Sequence, residues 1–90
     1  MRYHKVLWHH DLPDDPAIRY AEISSGREVR KIEVFRDGRH DYAGTSGSTG
    51  TTTLSESLTP ADEINQDPQF SATTIPASEF ERVWQRATQP

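Results

Sequence analysis

The sequence predicts an α+β fold: an antiparallel sheet of three to four strands, with a short helix and a C-terminal amphipathic helix packed on one face. Three observations predict it. Residues 18–43, IRYAEISSGREVRKIEVFRDGRHDYA, read as three consecutive strands whose charges pair across the ladder. Phe80, Val83, Trp84 and Ala87 recur at helical spacing and form one apolar stripe. The chain has 90 residues, enough for one small domain covering 1–90, and a chain that short buries little more than about 60% of its unfolded surface.

The elements follow in order. Residues 2–10 carry aromatic and β-branched side chains and read as a first strand, which the turn-rich DLPDDP at 11–16 ends. Strands at about 18–24 and 28–36 flank Ser25-Gly26-Arg27, and side-chain matching favours a three-residue loop. That register sets Ile18 against Val34, Arg19 against Glu33, Tyr20 against Ile32, Glu22 against Arg30 and Ile23 against Val29. Asp37-Gly38 signals a two-residue type I′ turn, because that turn needs positive φ at both central positions. It sets Phe35 against His40 and Glu33 against Tyr42. One face then carries Ile18, Tyr20, Ile32, Val34 and Ala43, and the other Ala21, Ile23, Val29, Phe35 and Tyr42. A single helix covers one of them, which predicts an apolar face left over.

Residues 44–53, GTSGSTGTTT, lack apolar content and read as a flexible loop. They are not a phosphate-cradling loop, since no Gly-Lys-Ser/Thr ending follows. Thr52–Ser57 is a candidate fourth strand. Thr59-Pro60-Ala61-Asp62 signals a brief helix that Pro68 stops by about Gln66. The last helix runs over about 77–88, and Ile75 with Phe80 fits a hydrophobic staple at its start.

Composition bounds the function classes. The chain has no cysteine, which removes disulfides and thiolate metal sites and makes a reducing cytosol the expected address. Val6-Leu7-Trp8 is too short an apolar run for a leader or a span, so no membrane is expected. A net charge of −4 argues against nucleic acid, although six of the ten basic residues lie in the strand block, at Arg19, Arg27, Arg30, Lys31, Arg36 and Arg39. Tyr20, Phe35 and Tyr42 beside Lys31, Arg36 and Arg39 imitate an RNA-binding sheet, but the glycine-and-aromatic signature of such sheets is missing.

The segments WHHDLPDDPAIRYAEI, REVRKIEVFRDGR, DEINQDPQF and EFERVW together resemble a family of short bacterial proteins described as a domain of unknown function. The resemblance covers about Tyr3 to Ala87 apart from the Gly/Ser/Thr-rich loop. It implies an independent small domain and brings no activity, cofactor or site residue with it.

Few constellations carry chemistry. His4, His9 and His10 with Asp11, Asp14 and Asp15 form the one cluster of candidate metal ligands, yet neighbours on a strand point to opposite faces and the spacing matches no zinc template, so no metal is assigned. Glu22, Arg30 and Glu33 read first as cross-strand charge pairing. His40-Asp41 beside a serine- and threonine-rich loop lacks the rigid nucleophile that a triad needs.

Two functions from different classes follow. The favoured one is a protein-binding module that is not an enzyme, an immunity or antitoxin-like inhibitor in its concrete form. It would bind a protein partner such as a toxin, or a second copy, through Phe35, Tyr42, Val29 and Ile23 on the second sheet face and through the acidic residues Asp14, Asp15, Asp62 and Glu63. The rival is a small ligand- or metal-binding domain, with catalysis open to it, built on His9, His10 and Asp11 with Trp8, Glu22 and Arg30. No cofactor is expected.

Overall fold

The order of strands is decided where the two ends of the chain meet the central meander. The structure is a computed structural model; it describes residues 2–12, 15–44, 47–50, 52, 54 and 61–89, with Ala61 and Asp62 by backbone alone. Its elements are β1 (Arg2–Trp8), β2 (Ile18–Ser24), β3 (Arg27–Val34), β4 (His40–Gly44), β5 (Gly47–Ser48), α1 (Ala61–Ile64), β6 (Phe70–Thr74) and α2 (Ala77–Thr88). All strands pair antiparallel in one sheet of order β5-β4-β3-β2-β1-β6. The fold is α+β with six strands, not three or four.

The two additional strands are short and polar. Residues 70–74, FSATT, pair with β1 from Trp8 opposite Phe70 to His4 opposite Thr74. Gly47–Ser48 adds to β4. Of the stretch 44–53, expected as a flexible loop, Gly44 closes β4 and Thr49 and Thr52 are hydrogen-bonded to the sheet, while residues 45, 46, 51 and 53 lie outside the described residues. Thr52 and Leu54 are not in a strand, and residues 53 and 55–57 of the expected fourth strand lie outside the described residues, as do Thr59 and Pro60 of the helix signal.

The β2–β3 register runs as side-chain matching predicts from Ile18–Val34 to Glu22–Arg30, and then shifts. Ser25 and Gly26 both have positive φ, 54° and 76°, so the turn holds two residues and not three. Val29 becomes the extra residue of a β-bulge, and Ile23 faces Glu28. The β3–β4 turn departs the other way. Val34 pairs with His40, leaving five residues between them, with Gly38 N–H donating to the Phe35 carbonyl at 3.0 Å and Phe35 N–H to the Arg39 carbonyl at 2.9 Å. Asp37-Gly38 therefore closes a longer turn in which Gly38 alone takes the positive φ, 91°. A one-residue change of register exchanges the faces. Tyr42 lies beside Ile32 and Ala43 beside Lys31, the reverse of the expectation.

Helix α2 lies over the face carrying Tyr3, Ile18, Tyr20, Ile32, Val34 and Tyr42, and Phe80 and Ile32 are its fully buried centre. The staple is in place, because Ile75 precedes the Pro76 N-cap and joins Phe80 in the core. Tyr42 meets Trp84 edge-on at 5.4 Å, and Tyr3 meets Phe80 at 5.2 Å. Trp84 approaches the β4 backbone so closely that a Cβ on Gly44 would stand 3.0 Å from its ring.

The other face is not left over. Val6, Ile23, Phe35, Ala43 and Ala72 are buried there. Chain leaving β5 at one edge must reach β6 at the opposite edge, and Thr52, donating to Glu33 Oε1 at 2.6 Å, sits on this face.

Candidate functional site

Glu22 and Arg30 face each other on β2 and β3, and Arg30 donates to both carboxylate oxygens at 2.6 and 3.0 Å. It also reaches both oxygens of Glu81 on α2. The guanidinium lies 4.9 Å from the Phe80 ring and 5.0 Å from the Trp84 ring. These bonds hold the Glu22 carboxyl below its ordinary range, with Arg30 the main cause, burial opposing and Tyr3 adding a further bond. Arg30 is raised by its two carboxylate partners, and the Tyr3 hydroxyl is raised mainly by its bond to Glu22. The arrangement ties α2 to the sheet and leaves the Arg30 side chain 22% exposed.

The far end of β1 is built differently. Trp8 N–H donates to the Ala17 carbonyl at 2.8 Å and His9 N–H to the Gln69 carbonyl at 2.6 Å, so β1 ends between β2 and β6. The two imidazoles then diverge. His9 Nε2 meets Ser71 Oγ at 2.9 Å, whereas His10 Nε2 meets the Pro16 carbonyl at 2.8 Å and His10 Nδ1 accepts the Leu12 N–H at 2.9 Å. The Pro16 carbonyl can only accept and the Leu12 amide can only donate, an arrangement that an imidazole with its hydrogen on Nε2 satisfies at both nitrogens. The ring braces the loop that it begins, and Leu12 stands out of it 52% exposed, the one exposed large hydrophobic among the described residues. Asp11 beside it is solvent-exposed and 3.3 Å from Arg36.

Under this loop the packing is aromatic and incompletely satisfied. Trp8 lies 4.2 Å from the His10 ring and stacks on Phe70 at 5.8 Å, and Arg19 covers Phe70 from the other strand. The indole Nε1 of Trp8 and the Nε of Arg19 are shielded from solvent with no hydrogen-bond acceptor. A buried donor without a partner costs about 1–3 kcal/mol.

The residues singled out in the sequence are redistributed by this geometry. Ile23 and Phe35 are buried, Phe35 beneath Arg39 at 4.1 Å, Val29 is the half-buried bulge residue, and Tyr42 is against Trp84 under the helix. These four do not form a shared open face. Glu22 and Arg30 belong to the helix-covered face, while Trp8, His9, His10 and Asp11 stand five residues farther along β1, about 17 Å at the rise of a strand. The six residues of the rival site are thus two groups. Among the described residues no set of three or more His, Cys, Asp or Glu could hold a metal ion. Asp14 lies outside the described residues, as does the Asp62 side chain, whereas Asp15 is half-buried in the braced loop and Glu63 is exposed on α1.

The fold does bring the two acidic segments to one end. His9 bonds to Gln69, and Phe70 N–H donates to the Asp67 carbonyl, so the turn after α1 sits beside the loop after β1. The sequence reading passed over Leu12 itself. Its signal was an apolar residue set among turn formers, at a place where no strand or helix periodicity could use it.

Side chains extend the hydrogen bonding next to both edge strands. Asn65 donates to the Ala72 carbonyl at 3.0 Å and accepts the Ala72 N–H at 2.6 Å, taking the place of a neighbouring strand on β6. Next to β5 the Thr49 hydroxyl accepts the Tyr42 N–H at 3.0 Å and Thr49 N–H donates to the Tyr42 carbonyl at 2.8 Å, which prolongs the pairing of β5 with β4. No helix is long and apolar enough to cross a membrane among the described residues.

A family model described as "Domain of unknown function (DUF6881)" matches residues 2–89. No curated protein and no solved structure matches the chain.

Proposed function

We propose that this chain, which belongs to the DUF6881 family of domains of unknown function, is a protein-recognition module that contacts its partner through Leu12 and the described residues around it, 9–12 and 15–17. The observation that carries this reading is the His10 ring, which ties Leu12 N–H to the Pro16 carbonyl and holds an apolar side chain out in water. A contact group held in place before binding loses less entropy on binding. The two donors left unpaired beneath the loop add support, since such groups gather at sites shaped for something other than stability.

The reading takes a different protein as the partner: the apolar residues of both sheet faces are buried and Asn65 occupies the Ala72 backbone groups on β6, which leaves less for a second copy to pair with. Exposed Asp11 and Glu63, with Asp15 and Asp67, favour a basic partner, and an immunity or antitoxin-like inhibitor in a bacterial cytosol fits that charge and the absence of cysteine.

The test is quantitative affinity capture from the native lysate with the wild type, Leu12→Arg and, as a surface control on α2, Arg82→Ala. The expected result is a stoichiometric protein kept by the wild type and Arg82→Ala and lost by Leu12→Arg. A partner that Leu12→Arg retains at full yield overturns the assignment of the loop.

A further inference from the structure

We propose that Arg19 is a receptor for a single carboxylate, presented by a protein partner as an Asp or Glu side chain; this deepens the recognition reading above and rests on it for the source of the carboxylate. The argument starts from a pairing that the ladder offers and the fold does not make. Arg19 on β2 stands opposite Glu33 on β3, yet among the described residues it has neither an ion-pair nor a hydrogen-bond partner. Glu33 instead accepts the Thr52 hydroxyl at 2.6 Å. The Arg19 side chain reaches across β1, and its guanidinium lies 5.8 Å from the centre of the Phe70 ring on β6. A ring holds a guanidinium by its charge and uses none of its N–H donors.

The direction of approach is set by burial. Nε is shielded from solvent with no acceptor, so the Nη1 and Nη2 end of the fork is the side that solvent reaches. Two N–H groups side by side in one plane match the two oxygens of a carboxylate at about 2.7–2.9 Å. Trp8 stacks on the same Phe70 ring at 5.8 Å, and its Nε1 is also shielded with no acceptor. Trp8 in turn lies 4.2 Å from the His10 ring, which puts Arg19 at the end of the sheet that carries Leu12. Pairing with Glu33 would have satisfied Arg19. Its diversion leaves a cation held in place and unpaired, a state that an incoming anion relieves.

The surroundings select the kind of anion. Glu33 stands opposite on β3, Asp67 lies in the turn before Phe70, and the chain carries a net charge of −4. A doubly charged phosphate is repelled there more than a carboxylate with one charge. The partner is therefore basic over most of its contact and places one acidic anchor on Arg19.

The experiment is carried out on the free, isotope-labelled protein. The Arg19 side-chain and Trp8 indole N–H signals are followed by NMR against sodium acetate, the peptide acetyl-Ala-Glu-Ala-amide, its Gln analogue and inorganic phosphate, with sodium chloride holding ionic strength constant. Acetate and the Glu peptide should saturate with midpoints on the order of 10 mM, phosphate should need more, and the Gln peptide should leave the signals unmoved. Arg19→Lys keeps the charge without the fork and should need about fivefold more of the Glu peptide, while the Trp8 signal of Arg19→Met should not respond. Since no partner in the fold loses a bond, Arg19→Met should unfold at the wild-type urea midpoint or above it. Trp8 shifts that persist in Arg19→Met, equal shifts with the Gln peptide, or a clearly lower urea midpoint overturn the receptor. Phosphate binding tighter than acetate overturns the choice of anion, and acetate binding without the Glu peptide overturns a protein as its source. No readout uses Leu12 or a captured partner, so failure here and failure of the loop assignment are told apart.

Discussion

Arg30 binds two carboxylates and two aromatic rings at once, and this one residue connects three elements. Its partner Glu22 has a side chain only 7% exposed, so Arg30→Met should strand a buried charge and destabilise the fold by about 3 kcal/mol in urea unfolding. The pH dependence has a definite sign. Because the folded protein holds the Glu22 carboxyl below its ordinary value of 4.5, the unfolded chain takes up the proton first. The stabilisation is complete above that value and is lost as pH falls through the lower folded one. His4, lowered by burial and by Arg2, acts with the same sign starting at its ordinary 6.5. Glu22→Gln should therefore be less stable at neutral pH and lose less on acidification, as urea midpoints between pH 7 and 3 would measure. At this scale the sequence was informative for pairs and uninformative for turns. Glu22–Arg30 and Tyr20–Ile32 could be read from charge and size, since both lie in a regular ladder. Tyr42 could not be placed, because its face depends on whether Asp37-Gly38 closes a two- or a five-residue turn, and both accept glycine at Gly38.

Elements with a strong period were legible, and those without one were not. Helix α2 was predicted over 77–88 and occupies Ala77–Thr88, because its apolar stripe has no other use. Strand β6 was missed, since in FSATT only Phe70 is a large apolar residue, although Phe70, Ala72 and Thr74 alternate with Ser71 and Thr73. The same polarity explains why β6 can stand at an edge. Asn65 supplies the two bonds that another strand would make to Ala72, so Asn65→Ala should expose both groups, lower stability by about 1–3 kcal/mol and produce concentration-dependent association in sedimentation. A variant that stays as stable and as monomeric as the wild type would deny the cap its role. On β4, Gly44 lets the Trp84 ring approach the backbone, and Gly44→Val should push the helix outward at about 1–3 kcal/mol, visible as a lower unfolding midpoint and a changed near-UV signal.

On the scale of the whole molecule, the topology accounts for what the sequence could not supply. Sequence reading left an apolar face free because it covered the sheet with one helix; in the fold Phe35 and Ile23 of that face are buried. His9 and His10, neighbours in the sequence, serve different partners, Ser71 and the Pro16 carbonyl. What the fold adds is the meeting of two distant acidic segments around one braced loop. Neutralising Asp11, Asp15, Glu63 and Asp67 should slow association with a basic partner and flatten its salt dependence while changing dissociation little, as surface plasmon resonance at two ionic strengths would measure. The most direct test of the recognition surface is hydrogen–deuterium exchange of the protein with and without its captured partner. The account predicts new protection concentrated in peptides spanning 9–17 and 66–70, with β3, β4 and α2 unchanged. Protection centred on α2 or on the β3–β4 turn, with 9–17 exchanging as freely as before, would contradict it.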